Sequence, residues 1–192
     1  MASTVIHPFN NGSRLSTAGH EGKPSQDQLV FRRHLETGQP VEGHLRWGLI
    51  PHDADRRPDF QPIHVRAETI SEKRIFRDAY RKRRCVVPMN AFYQKDAKGK
   101  RYAIMRMDGA PFGVAGIWEN WRDPATLQWE RTFAIVTVEA NALVRAIHDR
   151  MPAILENSDF PRWLGLEEDP HDLLVPYRPD DLALFALSGK RR

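Results

Sequence analysis

The sequence predicts a single α+β domain: a curved, barrel-like, mainly antiparallel or mixed sheet with a few short flanking helices. Three observations predict it. The chain has 192 residues, little more than one domain of about 150. Its 41% hydrophobic and 28% charged residues match ordinary globular domains that bury a core without staples. Strand signals also outnumber helix signals, without the regular alternation of a parallel α/β sheet. Other classes are excluded. Cys85 is the only cysteine, which rules out a disulfide scaffold. Apolar content is too high, at this modest net charge, for intrinsic disorder. No apolar run approaches the roughly 18 residues of a membrane span. The first eight residues lack the basic and apolar regions of a signal peptide, so a cytoplasmic setting is expected.

The elements follow in order. Residues 1–30 are rich in turn formers and hold little to bury, and 1–43 is expected to be poorly structured or extended, with the domain proper at 44–192. Gly43 to Ile50 reads as a buried strand ended by Pro51, and 52–63 as a polar loop. Thr69 with Glu72 three residues on has the form of a capping box. It predicts a helix over 70–83, with Ile75, Phe76, Ala79 and Tyr80 facing the core. Cys85 to Val87 reads as a strand. Ala91 to Gln94 and Arg101 to Met107 read as a hairpin with its tip at Asp96 to Gly99. Phe112 to Trp118 and Thr132 to Val138 are apolar, β-branched strands joined across Pro124. Asn141 to His148 reads as a short helix, Met151 to Leu155 as a strand, and Ser158 as the cap of a helix holding Trp163 and Leu164. Leu182 to Leu187 is the last strand. The expected core gathers Trp47, Val87, Ile117, Ile135 and Ile154.

Charge is unevenly spread. Residues 31–106 hold 18 basic and nine acidic residues, while the whole chain is only +4. Within 73–84, seven basic residues stand against one acid, Asp78. A pI near 9.4 with clustered Lys and Arg is the footprint of a polyanion binder.

Four segments carry a resemblance: Trp47-Gly48-Leu49-Ile50-Pro51, His64-Val65-Arg66-Ala67-Glu68-Thr69, Arg84 to Tyr93, and Ile147-His148-Asp149-Arg150-Met151-Pro152. Their order and spacing resemble the SOS-response-associated peptidase family, whose domain shields abasic sites in single-stranded DNA. The resemblance covers roughly residues 44–188, and Gly116-Ile117-Trp118-Glu119 also sits where that family has a similar run. It implies a chemistry. In that family a cysteine exposed by removal of the initiator methionine condenses, through its amine and thiol, with the aldehyde of an abasic site. A thiazolidine-linked adduct results. An Asn before Arg-Ala-Glu, a Glu after Phe-Tyr and the His of His-Asp-Arg-Met-Pro assist, and arginines hold phosphates.

By that resemblance the catalytic positions are His148, Gln94 and His64, and the DNA contacts are Arg66, Arg74, Arg150, Trp47 and Glu68. Glu68 is expected to orient Arg66, and Trp47 to stack on a base. The sequence departs from the pattern at three positions. Ala2 follows Met1, His64 stands in the Asn position, and Gln94, which cannot exchange protons near neutral pH, stands in the Glu position. Impaired crosslinking is therefore expected. Cys85, in an apolar strand, reads as a small buried hydrophobe. Eight histidines and one cysteine show no zinc-ligand spacing, so no metal and no cofactor are expected. The expected partner is single-stranded DNA, with or without an abasic site, bound by a monomer. A catalytically inactive relative that keeps the DNA groove or holds another ligand is the alternative. A remote one is a magnesium nuclease, suggested by Pro58-Asp59 and Asp96-Ala97-Lys98.

Overall fold

The structure, a computed structural model, describes residues 22–187. Ala2, with the rest of residues 1–21, lies outside the described residues. Eleven strands are formed among those described. β1 (Asp27–Arg33), β2 (Pro40–Trp47), β8 (Trp129–Glu139), β7 (Phe112–Arg122) and β4 (Arg84–Met89) pair in that order, and β4 returns to β1. The five close into a barrel, which leaves those pairings no open edge. Only β2 and β8 run parallel; the other four barrel pairings are antiparallel. The mixed sheet predicted from sequence is thus present.

β8 is the strand that positions the site. Its first half lies in the barrel between β2 and β7. Its second half runs past the rim, flanked by β3 (His64–Arg66), parallel to it, and β9 (Arg150–Pro152), antiparallel. β10 (Ile154–Leu155) extends the sheet beside β7. A second sheet packs alongside: β5 (Phe92–Lys95), β6 (Arg101–Arg106) and β11 (Leu182–Ala186) in the order β11-β6-β5. Its inner face buries Phe92, Ile104 and Leu182.

Alternation along the strands fills the barrel. Arg32, Cys85, Gly116 and Ile135 make one cross-strand row, and Trp118 with Phe133 makes the next toward the far end. Gly116 is required by closeness: a Cβ there would lie 2.9 Å from Cys85 Sγ and 3.2 Å from the Ala134 carbonyl. Val87, Ile117, Ile135 and Ile154 are buried as predicted. Trp47 is only half-buried, packed at the rim against Phe133.

Several local expectations change. A strand, β1, stands where the sequence suggested mostly turn formers, and β2 begins at Pro40 rather than Gly43. The basic helix, α1, spans Arg74–Lys82 and starts at Lys73, with no side-chain cap. Ala67–Thr69 forms a separate 3-10 turn. The backbone N–H groups of Glu72 and Lys73 bond to the Thr69 carbonyl (3.3 and 3.1 Å), and Thr69 Oγ1 is buried without a partner, so the capping box is not made. Phe76, Ala79 and Tyr80 face the core, while Ile75 is exposed. Asn141 caps the short helix α2 (Ala142–Arg145), its Oδ1 accepting from Val144 N–H at 3.0 Å. Ser158 lies inside a 3-10 turn rather than capping α3 (Phe160–Leu164). Trp163 on α3 reaches across to β4, donating from Nε1 to the Cys85 carbonyl at 2.8 Å.

Candidate nucleic-acid interface

The site is built where β8 leaves the barrel. β3 and β9 flank that segment, so His64 and Arg66 come up on one side and Arg150 on the other. The second sheet brings Gln94 to the same place from β5. Gln94 Nε2 donates to the Arg150 carbonyl at 3.1 Å. The Arg150 backbone N–H donates to His148 Nδ1 at 2.9 Å. The backbone of one residue, Arg150, therefore holds the amide and the imidazole together. Accepting that N–H bond, the shorter of the two Nδ1 makes with Arg150 (the carbonyl lies at 3.2 Å), corresponds to the tautomer with its proton on Nε2. The Asp149 carboxylate lies 3.2 Å from Nδ1.

His64 stands edge-on to Trp47, with ring centroids 5.8 Å apart. The packing around its ring lowers its pKa below the ordinary histidine value, and the nearby His148 pushes the same way. His64 is therefore a neutral imidazole at pH 7. Trp47 is fixed on its other sides: Nε1 donates to the Ile63 carbonyl at 2.8 Å, and the ring stacks on Phe133 at 6.3 Å. Gly48, with φ of +138°, turns the chain out of β2 directly after it.

The cations divide into paired and unpaired. Glu68 does not orient Arg66. It grips Arg150 with both oxygens, at 2.6 and 3.0 Å, and Arg150 Nη2 also donates to the Thr137 carbonyl at 2.6 Å. This fork bond holds the Glu68 carboxyl below its usual range. Arg150 thus locks β9 and the turn after β3 onto β8. Arg66 is exposed, and its side chain makes no hydrogen bond or ion pair among the described residues. Arg74, the first residue of α1, pairs with Asp53 of the 52–63 loop at 2.7 Å. Position along the chain could not reveal the Glu68–Arg150 pair, since its members are 82 residues apart.

Cys85 is fully buried, and burial pushes its thiol well above the ordinary range, so it is no nucleophile here. Asp96 caps the β5–β6 hairpin, its Oδ1 accepting from the N–H groups of Lys98 and Lys100 at 2.9 Å. Asp59 sits by Arg56 in the 52–63 loop. Neither carboxylate belongs to a cluster of three or more potential metal ligands among the described residues.

Fold and site together define the class: a small closed β-barrel whose rim gathers two imidazoles, an amide and a guanidinium that has no side-chain partner among the described residues. Known proteins give the class a family. The model for the SOS response associated peptidase (SRAP) family matches residues 7–190. The Bacillus subtilis abasic site processing protein YoaM is 37% identical over 156 residues, covering 77% of this chain and 68% of its own. The abasic site processing protein HMCES of Xenopus tropicalis is 25% identical over 166 residues, covering 73% of this chain and 50% of its own. A crystal structure of a Bacteroides thetaiotaomicron protein superposes with a TM-score of 0.78 at 27% identity, covering 85% of this chain and 75% of that one. A Bordetella bronchiseptica protein gives 0.76 at 29%, covering 86% and 85%. The chain belongs to the SOS response associated peptidase family.

Proposed function

We propose that this chain binds single-stranded DNA at the rim cleft and acts there on the aldehyde of an abasic site. The observation that carries this reading is the Arg150 backbone, which joins His148 to Gln94 beside the unpaired Arg66. The relatives named as abasic site processing proteins supply the substrate class. In this reading Arg66 takes a backbone phosphate and Trp47 offers its exposed edge to a base. His148 Nε2–H is the proton donor that condensation of an amine with an aldehyde requires, and neutral His64 is the acceptor. Arg150 and Glu68 position these groups.

Crosslinking is weakened relative to the family pattern, because Gln94 supplies no titratable proton and His64 replaces an amide. The protein works as a monomer in the cytoplasm, without a metal. The test is a binding titration of labelled oligonucleotides: intact single strand, single strand with a stable abasic analogue, and duplex. We expect the order abasic single strand, intact single strand, duplex, with log K falling about 0.7 per log unit of salt for each phosphate neutralised. Preference for duplex, or affinity unchanged by salt, would overturn the reading.

A further inference from the structure

Toward the barrel end away from the rim site lies a guanidinium whose charge no described residue balances. Arg32 is only 6% exposed. Its guanidinium carbon lies 4.6 Å from the centroid of the Trp118 ring, over its face. That face attracts the cation but accepts none of the N–H groups at its edge. Among the described residues its side chain makes one hydrogen bond, to the carbonyl of its neighbour Arg33 at 3.5 Å, and its Nε is buried without a partner. Arg131 stands nearby and is exposed, and it makes no ion pair or hydrogen bond among the described residues. Its charge adds to burial in lowering the Arg32 pKa. Asn120, directly opposite Arg131 in the β7–β8 ladder, has a buried side-chain oxygen with no partner, so nothing holds the amide in that orientation and it can turn its NH2 donor to an anion. Buried charges in proteins are normally paired, and among the described residues no carboxylate pairs with either arginine.

We propose that Arg32, Arg131 and Asn120 form a binding site for a phosphate group at this end of the barrel, separate from the rim cleft. The site is distinct by geometry. Arg131 precedes Ile135 by four residues, and Ile135 is the β8 residue that pairs with His64; the Arg32 backbone lies in the Ile135 row, but its guanidinium reaches over Trp118, one row toward Arg131. Four residues of strand span about 13 Å. Two guanidinium groups and an amide suit an anion with several oxygens, either inorganic phosphate, with a charge between about −1 and −2 near pH 7, or the singly charged phosphodiester of a nucleic-acid backbone. The phosphate comes either free in solution or from a nucleic-acid backbone, and the chemistry of recognition is the same. The free-phosphate source does not depend on the DNA reading above, whereas the backbone source does.

The experiment uses the full chain. Thermal unfolding is followed against inorganic phosphate, with chloride at equal ionic strength as the reference. The same proteins are titrated with single-stranded oligonucleotide over a salt series. Arg131→Gln is the main variant, since an exposed side chain can be changed without touching the core; Arg32→Met tests the buried partner. If free phosphate is the ligand, it stabilises the wild type saturably, and Arg131→Gln weakens that binding at least tenfold without changing oligonucleotide affinity. If a backbone phosphate is the ligand, Arg131→Gln lowers the salt slope for oligonucleotide by about 0.7. Either result supports the site. Phosphate and chloride acting alike, together with an oligonucleotide slope unchanged in Arg131→Gln, would overturn it. Should Arg32→Met fail to fold, Arg131→Gln decides alone. Loss of oligonucleotide binding by every protein, with phosphate stabilisation intact, would refute the DNA reading and leave this site standing.

Discussion

Replacing Gln94 by glutamate changes one atom and reverses the polarity of a contact. Gln94 Nε2 donates to the Arg150 carbonyl at 3.1 Å. An ionised Glu in the same rotamer would present only lone pairs to that oxygen. The lost hydrogen bond costs about 1 kcal/mol, and repulsion between the two acceptors adds a similar amount, reduced because the side chain is partly exposed. A total near 1–2 kcal/mol is expected for the ionised form. Protonated Glu is a donor again, so the fold favours it and raises its pKa above the ordinary value of about 4.3. The sign follows from linkage. The unfolded state releases its proton at lower pH than the folded state, so the penalty is absent below about pH 4.3. It grows as pH rises through the raised folded pKa and is complete above it. Each unit of rise corresponds to about 1.4 kcal/mol. Urea unfolding of wild type and Gln94→Glu at pH 5 and pH 8 measures this. The stability difference should be larger at pH 8 by about 1 kcal/mol. A difference that is equal at both values, or larger at pH 5, would refute the contact on which the cleft is built.

Other outcomes follow from the same contacts. Glu68→Ala should lower stability by about 1–2 kcal/mol, because it strips the fork partner from a half-buried guanidinium; denaturant midpoints unchanged from wild type would contradict this. His64, exposed on β3 but with its pKa lowered by the packing around its ring and by His148, should titrate below 6.5 in an NMR pH series. Its protonation should cost stability as pH falls below 6.5, and His64→Gln should flatten that fall; a midpoint above 6.5 would be inconsistent with the packing. Gly116→Ala should destabilise by about 1–3 kcal/mol through the 2.9 Å approach to Cys85 Sγ. Cys85→Ala should recover part of that loss, and strictly additive effects would exclude the steric account. Arg66→Ala should lower the salt slope of single-strand binding by about 0.7, which the same fluorescence titration reads.

Much of the architecture was legible where local chemistry and tertiary packing agree. The Asp96 to Gly99 tip announced the β5–β6 hairpin, and its carboxylate does tie the turn. The two long β-branched runs became β7 and β8. β1 was not legible, because Leu29, Val30 and Phe31 form a consecutive apolar trio between charged ends and give no period-2 signal. The capping box failed because its spacing was present but the Thr69 main-chain oxygen took both N–H groups. At the cleft, the motifs brought His148, Gln94 and His64 to one neighbourhood. The partnership of Glu68 with Arg150 was hidden because it joins two segments that meet only across β8. The unpaired Arg32 was equally hidden, since an arginine in a strand carries no mark of which face it will occupy.

Borohydride trapping addresses the cleft directly. A single-stranded oligonucleotide with one abasic site is incubated with the wild type, His148→Ala and Arg66→Ala at 150 mM salt, and adducts are resolved on denaturing gels. An amine and an aldehyde give an imine, which hydride reduces to a stable secondary amine. The wild type should give a trapped adduct, and each variant at least tenfold less at equal time. Without borohydride no heat-stable adduct should form, since Cys85, the only thiol, is sealed in the barrel. Equal trapping by all three proteins, as random surface lysines would give, or a heat-stable adduct without hydride, would contradict the roles assigned to His148, Arg66 and the replaced residues of the cleft.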